Sequence, residues 1–222
     1  VNFSASAVIT DIEGTTTPIA FVHDVLFPYA RRALPAYVAA HPDDPDVQEA
    51  ARLAPDSDAL AALLGWMDAD AKVAPLKSLQ GRLWHGGYRA GEIEGVLYPD
   101  VAPALRRWHA AGLRLCVYSS GSVQAQRLLF GHTGEGDLCP LFSGFFDTRT
   151  GPKREAASYS AIARALAIPA ARCLFLSDVE AELDAAAAAG LQTCQLVRPE
   201  DGTPASCRHP SRPDFSSIIP TA

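Results

Sequence analysis

The chain has no apolar run long enough to span a bilayer, no Cys-x-x-Cys pair, no internal repeat and no surplus of basic residues. The first absence excludes a membrane-spanning helix. The N-terminus also lacks the basic-then-apolar pattern of a secretory leader, so the expected location is the cytoplasm. With 25 acidic against 19 basic residues the net charge is -6, which argues against a nucleic-acid-binding surface. An anionic substrate must therefore find its positive charge locally. The five cysteines are odd in number and irregularly spaced, which fits reduced thiols better than a disulfide frame or a zinc site. Cys116, Cys173 and Cys194 each lie in an apolar run and read as small core fillers.

What is present is a packed globule: 222 residues, 48% hydrophobic, enough for one large domain or a core with a smaller module. A short β-prone run, Ala7 to Thr10, stops at Asp11 and is followed by Glu13, Gly14, three threonines and Pro18. From 22 to 38, apolar or small residues recur at helical spacing, with Pro28 and Pro35 expected to begin, bend or interrupt the helix. His41 to Pro45 is a break. Leu60, Leu63, Leu64 and Met67 form a second periodic set, capped at Asp56 or Ser57. Pro75 opens a third, carrying Leu76, Leu79 and Leu83 and ending at Trp84-His-Gly-Gly87. Residues 20–92 thus read as an all-helical insert.

From Gly95 onward strands and helices alternate. A helix at 101–111 leads to a strand at 113–118, and a second helix runs to Phe130. A weak segment ends in Phe145-Phe-Asp147. Then come a helix with Tyr159, Ile162, Ala163 and Leu166 on one face, a strand at 173–176, a helix at 179–189 and a strand at 192–197. The tail after Pro199 reads as loop with a short packed end at Ile218 and Ile219. This alternation specifies an α/β fold, a doubly wound and mostly parallel sheet covered on both faces. An all-helical cap is inserted after the first strand. The core is expected at 1–19 and 93–222 and the cap at 20–92, placed to act as a lid.

Four features fall at strand ends or helix starts, where open α/β sheets bind ligands. Asp11 and Glu13 follow the first strand. Ser119-Ser-Gly-Ser122 follows the second and opens a helix, a ready anion site. Lys153 precedes the next helix, where a cation opposes the helix dipole unless an anion is near. A buried strand delivers Asp178. Each also has an ordinary explanation: a capped turn at Asp11, an N-cap at the serines, a solvated Lys153, a helix cap at Asp178. Glu180 and Glu182 read as helix-start charges. Taken together, the four make a phosphoryl-transfer site. Carboxylates at the ends of neighbouring strands repel unless one is protonated or a hard cation lies between them, and Mg²⁺ suits oxygen ligands. Asp11 takes the role of nucleophile, Asp11, Glu13 and Asp178 hold the metal, and Ser119, its neighbouring amides and Lys153 bind phosphate oxygens.

That order of motifs resembles the haloacid dehalogenase superfamily. More closely, residues 11–29, from Asp11-Ile-Glu-Gly-Thr through Phe-Pro-Tyr29, are similar to the opening of the enolase-phosphatases of methionine salvage. So are Trp66-Met-Asp-Ala-Asp-Ala-Lys72, Leu76-Lys-Ser-Leu-Gln-Gly81, Tyr118-Ser-Ser-Gly-Ser-Val-Gln-Ala-Gln126 and Leu129-Phe-Gly-His132. The resemblance implies a Mg²⁺-dependent, typically monomeric enzyme with a helical cap over a doubly wound core. It implies a small phosphorylated diketone substrate, 2,3-diketo-5-methylthiopentyl-1-phosphate, which is enolised and then dephosphorylated to an acireductone. The roles it implies are Asp11 as nucleophile and metal ligand, Glu13 and Asp178 for metal, and Ser119, Ser120 and Lys153 for the phosphate. Glu13 can reach as base or leaving-group acid, or bind metal through its backbone. Trp66, Met67 and Trp84 either cradle a thioether tail or form the cap's own core. His23 and His85 are lid contacts or structural. The alternatives are another Mg²⁺-dependent phosphatase or mutase of the superfamily, and a non-catalytic phosphate-binding module.

Overall fold

The computed structural model describes residues 2–56 and 58–221. The chain divides into two compact units, Val1–Ala20 with Gly95–Ala222, and Phe21–Glu94.

In the first unit, six parallel strands form one sheet in the order β4-β3-β2-β5-β6-β7. They are β2 (Ala7–Thr10), β3 (Arg114–Tyr118), β4 (Phe142–Phe146), β5 (Cys173–Ser177), β6 (Gln192–Leu196) and β7 (Ser211–Arg212). A small parallel pair, β1 (Asn2–Ser4) and β8 (Ile219–Thr221), stands apart from it. The helices are α6 (Val101–Ala110), α7 (Val123–Gly131), α8 (Ala156–Leu166) and α9 (Glu180–Ala188). Strands β2 and β5 are buried along their whole length. That explains their unbroken apolar texture, since both faces of a parallel sheet are covered. Ala7 and Ile9, Cys116 and Tyr118, and Cys173 and Phe175 share one face and pack on Tyr159, Ile162 and Leu166 of α8 and Leu183 and Ala186 of α9. Cys116, Cys173 and Cys194 are fully buried free thiols, as small core fillers should be.

The topology reverses at β2. The chain runs outward to β3 and β4 on one side, then crosses to β5 on the other. Such a reversal opens a crevice at the carboxyl end of the strands.

Among the described residues of the second unit the regular elements are all helices: a turn of α1 (Ile19–Phe21, begun in the first unit), a π-helical stretch (Val22–Leu26), α2 (Phe27–Ala40), α3 (Pro45–Leu53), α4 (Ala59–Asp68) and α5 (Ala74–Arg89). Pro28 coincides with the switch from π to α, and Pro35 sits inside α2 without ending it. Helix α3 is new relative to the sequence reading. It has only two buried residues, Val47 and Ala50, and is started by Pro45 with the Asp44 carboxylate capping the Asp46 amide. The cap of α4 is Asp58, which accepts from the Ala61 amide at 2.7 Å, rather than Asp56; Ser57 lies outside the described residues. Gly86 and Gly87 do not end α5, which continues to Arg89. At Gly87 a Cβ would lie 2.6 Å from the Tyr29 ring and 2.7 Å from Ile93, so packing, not chain punctuation, selects that glycine. Ala30, Leu34, Leu63, Leu76 and Leu79 form the unit's core, with Trp66, Met67 and Trp84 packed against it.

Candidate functional site

Strand β2 runs one ladder step past its end, the Asp11 amide donating to the Leu176 carbonyl at 2.9 Å. This fixes the backbone of Asp11 to β5. The chain then folds into a tight loop in which the amides of Thr15, Thr16 and Thr17 all donate to the Ile12 carbonyl, at 3.1, 2.9 and 3.0 Å. The three threonines are fully buried. Thr16 Oγ1 donates to the Asp11 carbonyl at 3.2 Å. Thr15 Oγ1 accepts from the Asp178 amide at 3.0 Å and donates to Asp178 Oδ1 at 3.2 Å. Gly14 adopts φ +68°, and a Cβ there would come within 2.6 Å of Asp178 Oδ2. Only glycine combines that backbone with so close a carboxylate.

The reversal point thus gathers Asp11 from β2, Asp178 from β5, and Lys153 from the turn before α8. Asp11 is 5% exposed. Its Oδ1 accepts from the Ile12 amide and from Lys153 Nζ, both at 2.7 Å, and Ser177 Oγ lies 3.3 Å from its Oδ2. Lys153 Nζ lies also 2.6 Å from Glu182 Oε2, with its side chain only 9% exposed. Glu182 does stand in the first turn of α9, as a helix-start charge, and is in addition a buried ion-pair partner of Lys153. Glu180, by contrast, does pair at the surface, with Arg208 at 2.5 Å. Ser177, fully buried, is within 3.3 Å of both Asp11 and Glu182; with one hydroxyl proton it donates to one of them at a time.

Lys153 thus pairs with two of the three carboxylates here, Asp11 and Glu182, whereas Asp178 is bonded to Thr15. Burial alone would depress the Lys153 pKa, but Asp11 and Glu182 overcome it and raise the value above the ordinary one. Burial, and then the charge of Asp11, push Asp178 up to about 6. The same two causes, in the same order, raise Glu182. Both shifts come first from burial and then from like charge, and a buried, oxygen-only set of neighbouring carboxylates suits a hard divalent cation. Among the described residues no three acidic, histidine or cysteine side chains make a ready metal cage. A cation here would rest on Asp11 and Asp178, with backbone, water or substrate oxygens completing it. That fits Mg²⁺, which keeps several waters. Glu13 differs from its partners in being solvent-exposed.

The serine loop is only partly open. Ser119 is buried and Ser120 exposed. The Gly121 amide donates to Ser119 Oγ at 3.2 Å, the Val123 amide to Asp147 Oδ2 at 3.2 Å, and the Ala125 amide to Ser122 Oγ at 3.2 Å. Of the amides that follow Ser119, those of Gly121 and Val123 thus have internal acceptors. Two further polar residues escaped it. Gln126, 1% exposed, donates through Nε2 to the carbonyls of Gly121 and Phe146, both at 2.8 Å. Arg198, 3% exposed, forks onto Asp100 at 2.9 and 3.0 Å and donates to the Thr15 carbonyl at 2.7 Å. Nothing in a lone Gln or Arg marks it as buried; the signal for Arg198 was its place two residues after β6.

The family model of haloacid dehalogenase-like hydrolases matches residues 5–190. The enolase-phosphatase E1 of Acidiphilium cryptum is 58% identical over 215 residues, covering 95% of this chain and 93% of that protein. That of Gluconacetobacter diazotrophicus is 61% identical, covering 92% and 88%. The crystal structure of the UTR4 protein of Saccharomyces cerevisiae superposes with a TM-score of 0.83 at 35% identity, covering 96% of this chain and all of that one, 100%. CbbY from Rhodobacter sphaeroides, solved with phosphate, matches at a TM-score of 0.63 and 19% identity, a likeness of fold alone.

Proposed function

We infer that this chain, which belongs to the haloacid dehalogenase-like hydrolases and among them to the enolase-phosphatases, acts on a small phosphorylated diketone, 2,3-diketo-5-methylthiopentyl-1-phosphate, by enolisation followed by transfer of the phosphoryl group to Asp11. The observation that carries this reading is the Asp11 carboxylate at the end of the central strand, gripped by the Lys153 ammonium at 2.7 Å and facing Asp178 across the strand reversal.

In the first step a base takes a carbon-bound proton next to a carbonyl, the electron pair moves to the carbonyl oxygen to give an enolate, and that oxygen takes up a proton to give the enol. Glu13, exposed on the loop after Asp11, is the carboxylate available for that proton or for the leaving oxygen. In the second step an Asp11 oxygen bonds to phosphorus as the ester oxygen leaves and takes up a proton. Water then attacks the aspartyl-phosphate, restoring the carboxylate and releasing inorganic phosphate. Lys153 and Ser119 bind the equatorial oxygens, whose charge grows least tolerable when water is excluded. Asp11, Asp178 and the Glu13 loop would hold Mg²⁺, which would supply neutralising charge to the phosphate. We place the enzyme in the cytoplasm as a monomer; no helix among the described residues is long and apolar enough to cross a membrane.

Asp11→Asn keeps the shape of the side chain and removes the nucleophilic charge. We expect phosphate release to fall by at least ~10³-fold, as loss of a covalent nucleophile does, with an unchanged circular dichroism spectrum. Turnover within tenfold of the parent would overturn the assignment.

A further inference from the structure

Lys153 must hold a four-methylene side chain so that its nitrogen meets both Asp11 and Glu182, yet it lies in neither helix nor strand. It sits in the turn between β4 and α8, three residues before the helix begins. A mobile Cα there would spread the ammonium over several ångströms, because long side chains carry large rotamer freedom.

The turn is held by its own carbonyls. Three consecutive ones, at 151, 152 and 153, each accept a hydrogen bond from a different hydroxyl. Tyr118 Oη donates to the Gly151 carbonyl at 2.8 Å, Ser158 Oγ to the Pro152 carbonyl at 2.7 Å, and Tyr159 Oη to the Lys153 carbonyl at 2.7 Å. All three donors are buried, Tyr118 and Tyr159 completely. The two phenols are fixed edge to face with centroids 5.4 Å apart, and Tyr159 packs likewise on Phe175 of β5 at 4.9 Å. The approach is tight: Gly151 has φ +147°, and a Cβ on it would fall 2.2 Å from Ser158 Oγ. Tyr118 is the last residue of β3, directly before Ser119. The strand that presents Ser119 therefore also grips the turn that presents Lys153.

We propose that Tyr118, Ser158 and Tyr159 are positioning residues for the reaction, their hydroxyls forming a clamp on three successive carbonyls that delivers Lys153 to Asp11. The proposal rests on the reading of Lys153 given above. A packing role needs only the rings; positioning needs the oxygens.

Tyr118→Phe, Tyr159→Phe and the double variant separate the two, since each keeps its ring in the core. Steady-state phosphate release, the inhibition constant for inorganic phosphate and the thermal midpoint are measured on the full chain, with Lys153→Met alongside. Sub-ångström to ångström misplacement of a positioned group costs up to roughly 100-fold. Each single variant should therefore lose about 10-fold in kcat, and the double about 100-fold. Inorganic phosphate should bind more weakly in step, while the folded fraction stays near that of the parent. If kcat corrected for folded fraction stays within about 2-fold in the double variant while Lys153→Met is inactive, the clamp is refuted and the reading of Lys153 stands. If Lys153→Met is itself active, that reading falls and the clamp with it.

Discussion

The two units bury different things. The helical unit buries hydrocarbon, with Leu34, Leu63 and Leu79 at its centre and most of its ion pairs outside. Arg31–Asp68, Arg52–Glu49 and Lys72–Asp70 are all largely exposed, and such pairs contribute little. The sheet unit buries charge. Asp11, Lys153 and Glu182 are each about nine-tenths covered, and Arg198 is held inside by Asp100. Desolvating such groups is costly and rarely improves on apolar packing. The contrast teaches where each unit's residues are under stability constraint alone and where they are held against it.

Four substitutions can break or sharpen that contrast, in descending order of effect on stability. Leu79→Ala, in the helical unit, should cost about 2–5 kcal/mol in urea denaturation, with kcat of the folded protein retained. Gly14→Ala should cost about 1–3 kcal/mol by forcing a side chain into φ +68° against Asp178, and phosphate release should vanish with it. Asp178→Asn reverses the sign: it should stabilise the metal-free protein at neutral pH by about 1–2 kcal/mol while abolishing turnover. Arg31→Ala should change stability by less than about 0.5 kcal/mol, and a larger loss would show that the helical unit leans on charge after all.

The third case has a pH signature. Asp178 titrates at about 6 in the folded protein against an ordinary value of 3.8, so between about pH 4 and 6 the folded state holds the extra proton. Stability of the metal-free protein from this group therefore falls as pH rises through that window. The slope should become shallower in Asp178→Asn, keeping the part from Glu182, which burial and Asp11 also raise, as thermal midpoints at about pH 4.5 and 7 would show.

The parallel core was legible in the sequence because strands buried on both faces read as apolar runs separated by helical periods, as at 7–10, 114–118 and 173–177. The gathering of Asp11, Lys153 and Asp178 was legible from their order at strand ends. Helix α3 was not, since two buried positions in nine give no period. Nor were β1, β7 and β8, strands of two or three residues whose pairing is set by distant partners. Glu182 was missed because a glutamate in the first turn of a helix is the expected complement to the helix dipole. Only the inward direction of that turn, facing Lys153, makes it a buried pair. The hydroxyl clamp on residues 151–153 was equally hidden, since its three donors are residues that also serve as ordinary core.

The central claim, that Asp11 receives the phosphoryl group, is tested most directly by catching the intermediate. Enzyme quenched during turnover is reduced with borohydride, which converts an acyl phosphate of aspartate to homoserine, and its peptides are sequenced by mass spectrometry. The account predicts homoserine at position 11, absent without substrate; homoserine at another aspartate, or none despite rapid turnover, would contradict it.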